Sequence, residues 1–335
     1  MAELAVQGLR VAFLRRGTEA VRGVSLAIAP GEALGLVGES GSGKSLTARA
    51  ILGLLPRGAT VAGRIALDGQ SLLELPAAAM QRLRGSRIAM IFQDPMSSLN
   101  PVLRVGEAIA QVARAHDRGA AGTATRRAVE LMERVGIRDA AARARDYPHQ
   151  FSGGMRQRIM IAMALAARPA LLLADEPTTA LDVIVQLGIL QLLDQLRREE
   201  GMSLLLVSHD LGVVAGVCDR VAVMYAGEIV ETGPTADVLF GPRMPYTVGL
   251  VASVPREGQR GRLVAIPGAP PVPGRLAPGC QFAPRCPLAA ADCRGEPVDP
   301  VAIGDGHWAR CRHMDRLGAL DFSTRPAAAA VPGHG

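Results

Sequence analysis

The sequence predicts an α/β protein with a parallel or mixed sheet that is flanked by helices. Hydrophobic residues make up 49% of the 335 residues, which is enough for a large buried core. Continuous apolar runs at 87–92, 171–174 and 203–207 are typical of strands buried on both faces. A strand predicted over 32–37 is followed by a glycine-rich segment and a helix predicted over 44–55, an order expected of α/β units.

The glycine-rich segment matches G-x-x-x-x-G-K-[ST], the phosphate loop of nucleotide triphosphatases. Lys44 is the only lysine beside 36 arginines, which indicates a site that needs a compact ammonium and not a planar guanidinium. We expect Lys44 to contact the β- and γ-phosphates and Ser45 to bind Mg²⁺. The glycines let backbone N–H groups turn inward, and the helix start adds its positive dipole end. The residues predicted to hold the nucleotide are Gly38, Ser40, Gly41, Ser42, Gly43, Lys44 and Ser45.

Two carboxylates, Asp175 and Glu176, end the apolar run at 171–174. Open α/β sheets present their ligand sites at the carboxyl ends of such strands. We therefore expect Asp175 to hold Mg²⁺, directly or through water. Glu176 is expected to polarise the water that attacks the γ-phosphate.

A second small-residue segment, Ser152-Gly153-Gly154, precedes another predicted helix. Serine is a favoured N-cap, and a helix start with small residues lets an anion approach closely. The residues by themselves fit either an anion site or a well-capped helix.

The chain divides into a predicted core at 1–254 and a C-terminal extension at 255–320. Within the core, an all-helical insert is expected at about 95–165. After Val254, ten of the 23 prolines fall between 255 and 300, which excludes long regular elements there. We expect a separate, small, irregular extension, followed by a disordered Ala-rich tail at 321–335.

Charge and hydropathy limit the function classes. The net charge of +6 is scattered and aromatic residues make up 3%, so we expect no nucleic-acid partner. The longest apolar run, 159–167, is far shorter than the roughly 18–20 residues that cross a bilayer. The first residues lack the features of a signal peptide, and we expect a cytoplasmic chain.

The motifs together resemble the ATPase subunits of ATP-binding cassette (ABC) transporters over residues 1 to about 240. The resemblance implies an ABC ATPase fold and ATP with Mg²⁺ as ligands. The elements that carry it, in chain order, are the phosphate loop, Gln93 after the strand at 88–92, Ser152-Gly153-Gly154, Asp175-Glu176, Ala180-Leu181-Asp182 and His209.

The resemblance also implies individual roles. Gln93 would sense Mg²⁺ and the attacking water and couple the site to a membrane subunit, whereas His209 would contact the γ-phosphate. The segment from Ser152 to Gly154 would complete the ATP site of a second ATPase subunit, a paralogue or another copy, and Asp182 would communicate across that interface. Phe13 matches the position of the aromatic on which adenine stacks. Lys44, Gln93, Glu176 and His209 would be the catalytic residues.

The sequence further resembles a narrower group, the ATPases of dipeptide and oligopeptide importers. The resemblance implies two membrane permease subunits, an indirect solute-binding partner and a peripheral position at the cytoplasmic face of the cell membrane. An importer for nickel or another solute, or a soluble ABC ATPase acting on nucleic acid or ribosomes, stays open as an alternative. The segments that carry the resemblance are 93–101, 147–151, 245–247, 266–268 and 280–287.

Four of the five cysteines, Cys280, Cys286, Cys293 and Cys311, lie in the extension. Their spacing does not match the C-x-x-C pairs of structural zinc, but four thiolates would cross-link an irregular segment through a metal. Some importer subunits that this region resembles carry a [4Fe–4S] cluster. A cluster, a zinc ion and free or oxidised thiols remain open. Cys218 is expected to be a small buried residue on a core helix.

Overall fold

The computed structural model describes residues 2–13, 17–116, 122–179, 181–254, 265–274 and 276–320. The strands are β1 (Leu4–Phe13), β2 (Thr18–Ile28), β3 (Ala33–Val37), β4 (Ala59–Leu67), β5 (Gln70–Ser71), β6 (Ile88–Ile91), β7 (Leu171–Asp175), β8 (Ser203–Ser208), β9 (Arg220–Tyr225), β10 (Glu228–Pro234), β11 (Val301–Gly304) and β12 (His307–Ala309). The helices are α1 (Lys44–Ile51), α2 (Ala77–Ser86), α3 (Pro95–Ser98), α4 (Val105–His116), α5 (Ala124–Arg134), α6 (Ala140–Arg143), α7 (Gly153–Leu165), α8 (Val183–Glu200), α9 (Leu211–Ala215), α10 (Thr235–Phe240) and α11 (Pro245–Ser253). Short 3₁₀ helices lie at Pro148–Gln150, Ala283–Arg285, Ala291–Cys293 and Met314–Ala319.

The larger sheet has the strand order β11-β12-β10-β9-β3-β8-β7-β6. Its strands from β9 to β6 pair in parallel, and every residue of β3, β7 and β8 is buried. The predictions of buried parallel strands from the apolar runs are therefore confirmed. Because parallel strands end at one edge, Asp175 at the end of β7 lies on the same side of the sheet as Gly38, Gln93 and His209, which follow their strands.

The smaller sheet is antiparallel, with the order β2-β1-β4-β5. One buried cluster joins it to α1 and to the larger sheet, and includes Leu4, Val11, Leu36, Ile51 and Leu205. Packing on both sides thus fixes the helix that carries Lys44.

The predicted helical insert is present between β6 and β7, where the chain forms α3 to α7 and the 3₁₀ turn at Pro148–Gln150. Its apolar residues repeat at helical spacing and face inward. Leu131, Met132, Val135 and Ile137 are each 5% exposed or less and join the same core as α7 and α8.

The C-terminal segment, described over residues 265–274 and 276–320, differs from the separate, irregular extension that its prolines predict. Residues 301–309 contain no proline and form β11 and β12, which pair with each other and, through β12, with β10. Phe282, 1% exposed, belongs to the same buried cluster as the helical insert. Proline excludes long elements but leaves room for two short strands on an existing sheet edge. The domain boundary at 254 stays a prediction.

Helix α1 and Cys218 each differ in one detail from what the sequence predicts. Helix α1 ends at Ile51 and not near Leu55, since Gly53 adopts a left-handed φ of 64°. Cys218 is buried as expected, but it follows α9 and is not on a helix. The predicted tail at 321–335 lies outside the described residues. Within the described part of the chain, no helix has the length and apolar character needed to span a membrane.

Candidate functional site

The loop from Gly38 to Gly43 depends on glycine at its two ends. Gly38 and Gly43 have φ values of 152° and 107°, in the region that side chains disfavour. A Cβ at Gly38 would overlap the carbonyl oxygen of Met224, and one at Gly43 would lie 2.8 Å from the carbonyl oxygen of Ala20. The loop therefore folds tightly against neighbouring backbone, directly before α1.

Lys44, the single lysine, lies inside this loop and is 3% exposed. Its Nζ donates hydrogen bonds to the carbonyl oxygens of Gly38 and Glu39, at 2.7 and 3.0 Å. Burial lowers the pKa of Lys44, while the carboxylates of Glu176, Asp175 and Glu39 oppose that shift. The ammonium is thus held where phosphates would meet the helix start.

Ser45 and Asp175 meet across the loop, because β7 ends beside α1. The Ser45 Oγ donates to Asp175 Oδ1 at 2.7 Å. Asp175 is fully buried, and its Oδ2 has no hydrogen-bond partner among the described residues. Burial raises the pKa of Asp175, and the hydrogen bond from Ser45 opposes the shift. A hydroxyl beside a carboxylate with an unpaired buried oxygen fits the oxygen ligands that Mg²⁺ prefers.

Glu176 is the meeting point of the predicted catalytic side chains. Its φ of 47° turns the chain sharply after β7, and its N–H donates to the carbonyl oxygen of Val207 at 3.0 Å. Its Oε2 accepts from Gln93 Nε2 at 3.0 Å and from Thr179 Oγ1 at 2.9 Å. His209 Nδ1 lies 3.4 Å from the same oxygen.

Sequence reasoning missed Thr179 at this centre. Its hydroxyl holds the Glu176 carboxylate at Oε2, so it orients the predicted base. The available signal was its position three residues after Glu176 in a turn that follows a strand.

The Ser152 to Gly154 segment is not part of this cluster. Ser152 is the N-cap of α7 and accepts from the Met155 N–H at 3.4 Å, whereas Asp182 caps α8 and accepts from the Val185 N–H at 2.9 Å. A Cβ on Gly154 would lie 2.5 Å from Val185 Cγ1, so the two helix starts pack together. Within the described residues, no hydrogen bond joins this segment to the phosphate loop.

Phe13 ends β1 and pairs with Thr18 and Ala59. It lies in the smaller sheet, next to residues 14–16, which are outside the described part. Its contact with adenine stays a prediction. Ala180 of the Ala180-Leu181-Asp182 motif also falls outside the described residues.

The four C-terminal cysteines come together around one cavity, as free thiols. Burial raises the pKa of Cys280, that of Cys286 to about 12 and that of Cys311 to about 11. Cys293 also lies near Asp292 and His313, with ligand atoms of the three within 4.8 Å of one another. Thiol, imidazole and carboxylate groups of this kind are ligands that transition metals take.

The fold and the site define an ATP-binding cassette ATPase. The ABC transporter family matches residues 21–179, and the family described as oligopeptide/dipeptide transporter, C-terminal region, matches residues 230–293. The chain belongs to the ATP-binding proteins of the oligopeptide and dipeptide ABC transporters.

Individual relatives agree with this assignment. A putative peptide import ATP-binding protein of Brucella abortus is 47% identical over 94% of this chain and 98% of its own length. The oligopeptide transport ATP-binding protein OppD of Salmonella typhimurium is 48% identical over 88% of this chain and 89% of its own length. OppD of Mycobacterium tuberculosis is 50% identical over 92% of this chain, which spans about half, 51%, of that longer relative.

A solved structure gives the same fold. The ATP-binding cassette MJ0796, described as a dimer in a post-hydrolysis state bound to ADP and Pi, superposes with a TM-score of 0.62 at 29% identity. The match covers 69% of this chain and 98% of MJ0796.

Proposed function

We propose that the chain binds and hydrolyses ATP to energise the import of dipeptides or oligopeptides through a membrane ABC transporter. The observation that carries the proposal is the single cluster formed by Lys44, Ser45, Asp175 and Glu176 at the sheet edge. The family and the named peptide-transport relatives support the solute class.

In this proposal the chain's own groups bind and orient the triphosphate. Lys44 exchanges its two carbonyl partners for β- and γ-phosphate oxygens, and loop N–H groups contact the rest. Ser45 and Asp175 would hold Mg²⁺, which supplies charge neutralisation between the phosphates. Glu176 accepts a hydrogen bond from the attacking water, while Thr179 and Gln93 orient its carboxylate.

A second ATPase subunit, a copy of this chain or a paralogue, would complete the site. Ser152 and Gly153 are exposed at the start of α7, where a capped helix can face an anion. Since these residues are separate from the phosphate loop of their own chain, they are available to the ATP of a partner. MJ0796, the similar cassette, was solved as a dimer. Asp182, at the adjoining start of α8, lies beside this surface.

The membrane permeases would dock on an apolar groove beside β6 and α7. The groove is lined by side chains including Leu54, Met90, Phe92, Met160 and Met163, and Leu54 is 40% exposed. Gln93 follows Phe92 directly, so the groove is continuous with the catalytic cluster. This contact would hold the chain at the cytoplasmic face of the membrane, with a solute-binding protein acting indirectly.

Transport measurements test the solute and the partners. The chain would be co-purified with its membrane subunits and reconstituted with the solute-binding protein, and ATP hydrolysis would be measured with and without peptide. We expect peptide to stimulate hydrolysis and accumulate in the vesicles. Stimulation by nickel and not by peptide would move the function to another solute. Hydrolysis stimulated by nucleic acid alone would contradict the import role.

We also propose that the cysteine cavity holds a metal centre, with a [4Fe–4S] cluster favoured by four thiol donors. Iron, sulfide and zinc contents of the purified chain test this. The variant Cys280→Ser should lose metal, whereas Cys218→Ser should not, because Cys218 is buried in the core away from the cavity. Metal-free wild-type protein would overturn the proposal. Zinc without iron would show that the centre is a zinc site and not an iron–sulfur cluster.

A further inference from the structure

A partly buried ion pair joins the C-terminal segment to the phosphate loop. Arg285, 4% exposed, donates from Nη1 and Nη2 to Oε2 and Oε1 of Glu39, at 2.6 and 2.9 Å. Glu39 is the second residue of the phosphate loop and lies 246 positions earlier in the chain. The pair is a bidentate fork, the strongest geometry available to an arginine and a carboxylate.

The Arg285 guanidinium is also held by groups outside the phosphate loop. Its Nε donates to the carbonyl oxygen of Pro267 at 2.8 Å, and Nη1 also lies 3.3 Å from the Tyr225 hydroxyl. The guanidinium is 5.8 Å from the ring centres of both Tyr225 and Phe282. Because backbone and aromatic rings surround it, the fork is held in one orientation.

Three groups of Glu39, its N–H, its carbonyl oxygen and its carboxylate, each have a hydrogen-bond partner. Its N–H donates to the Tyr246 hydroxyl at 2.8 Å, its carboxylate meets Arg285, and its carbonyl oxygen accepts from Lys44 Nζ at 3.0 Å. A displacement of Glu39 would therefore move the loop backbone beside the Lys44 ammonium. The C-terminal segment is in this way connected to Lys44 through a single residue.

The charge of Glu39 matters as well. Its carboxylate is close enough to interact electrostatically with the Lys44 ammonium, which is where the phosphates are expected. An unpaired carboxylate at this place would repel a triphosphate. The Arg285 fork neutralises it, from a guanidinium that is itself only 5% exposed.

We propose that Arg285 is a positioning residue for ATP, which holds the phosphate loop through Glu39 and cancels the carboxylate charge beside the triphosphate site. The inference rests on the proposed binding of ATP by this loop. Two segments at 280–287 and 266–268 would thereby contribute to ATP binding. The first supplies Arg285, and the second supplies the Pro267 carbonyl oxygen that orients its guanidinium.

Equilibrium binding of MgATP to the full chain tests the proposal with four proteins: wild type, Arg285→Gln, Glu39→Gln and the double variant. Arg285→Gln should weaken binding on the order of tenfold or more, as expected for loss of a charged hydrogen-bonded pair. Removing the repelling carboxylate in the double variant should restore most of the affinity. Glu39→Gln alone should change it by only a few-fold.

Arg310→Gln is the matched control. Arg310 also stands over an aromatic ring, Trp308, and donates to the carbonyl oxygens of Ile229 and Val298, but it does not contact the loop. It should therefore keep wild-type affinity. An equal loss in Arg310→Gln would show general loosening of the segment. No recovery in the double variant would show that the Glu39 charge does not repel the triphosphate, and either result would overturn the proposal.

The outcomes separate this inference from the proposed function. Wild-type protein that fails to bind MgATP would remove both, whereas wild-type binding with an unaffected Arg285→Gln would remove only the role of Arg285. Should Arg285→Gln fail to fold, Arg285→Lys keeps the charge and loses the fork. It should bind MgATP a few-fold more weakly, and unchanged affinity would overturn the proposal.

Discussion

At the scale of single residues, Glu176 connects more of the site than any motif suggested. Replacing it by Gln keeps its shape but removes the charge that accepts a proton from water. We expect ATP turnover to fall by ~10²–10⁴-fold while ATP binding persists. Binding and steady-state hydrolysis, measured on the same preparation, check this. In addition, the ATP-bound variant should run as a closed dimer in size-exclusion chromatography. Retained turnover would show that another group acts as the base.

Lys44 provides a second residue-scale prediction. Because its Nζ sits between two carbonyl oxygens at 2.7 and 3.0 Å in a buried loop, a wider guanidinium does not fit the same place. Lys44→Arg should weaken MgATP binding by at least about tenfold. Lys44→Ala should abolish productive binding. Calorimetric titration distinguishes the variants, and near-normal affinity of Lys44→Arg would contradict the steric argument.

The sequence indicated the residues of the catalytic cluster because each one follows a strand or opens a helix within a recognisable motif. Ser45 and Asp175 were assigned to one metal, and they form a direct hydrogen bond. The Arg285–Glu39 pair could not be predicted, since nothing local specifies a partner 246 residues away. Such a pair depends on how the C-terminal segment packs.

At the scale of elements, close packing of β3 on α9 depends on Gly35. A Cβ on Gly35 would overlap Val214 Cγ1 and lie 3.3 Å from Cys218 Sγ. Gly35→Ala should therefore destabilise the protein by ~1–3 kcal/mol through overpacking. Chemical denaturation measures the change. The double variant Gly35→Ala/Val214→Ala should recover part of it, whereas an equal loss in the double variant would point to the backbone and not to the contact.

Substitutions of Asp182 distinguish its role as the N-cap of α8 from its proposed role at the interface between two ATPase subunits. Its Oδ1 caps α8, and Asn is an equally good cap without charge. Asp182→Asn should retain wild-type stability, whereas Asp182→Ala should lose ~1 kcal/mol. Thermal unfolding checks stability, and ATP hydrolysis of Asp182→Asn reports on the interface. Lost stability in Asp182→Asn would show that the charge, and not the cap, supports the helix.

Elements with strong periodicity or continuous apolar runs were predictable, and those set by distant pairing were not. The apolar runs that form β6, β7 and β8 can be recognised in the sequence, because strands buried on both faces need apolar residues throughout. By contrast, β11 and β12 have four and three residues and exist because the edge of β10 is available to them. Propensity carries little information over such lengths.

At the scale of the whole molecule, the C-terminal segment packs directly on the ATPase core. Glu231 on β10 is fully buried and accepts from the N–H groups of Arg243 and Met244, at 2.7 and 3.0 Å. The His307 Nε2 on β12 lies 2.9 Å from the same carboxylate. One side chain thus joins the sheet, the start of α11 and the C-terminal strands.

This arrangement predicts that the core and the C-terminal segment unfold together. Glu231→Gln places an amide where a carboxylate meets two backbone donors and a histidine, so at least one buried donor loses its partner. We expect a loss of ~1–3 kcal/mol and a Tm lower by several degrees, in one transition for both parts. Glu296→Gln, whose side chain is 88% exposed, is the control and should leave the Tm unchanged. Calorimetry combined with the fluorescence of Trp308, the single tryptophan, follows the whole chain and the segment separately. Early melting reported by Trp308 alone would show that the C-terminal strands unfold independently of the core.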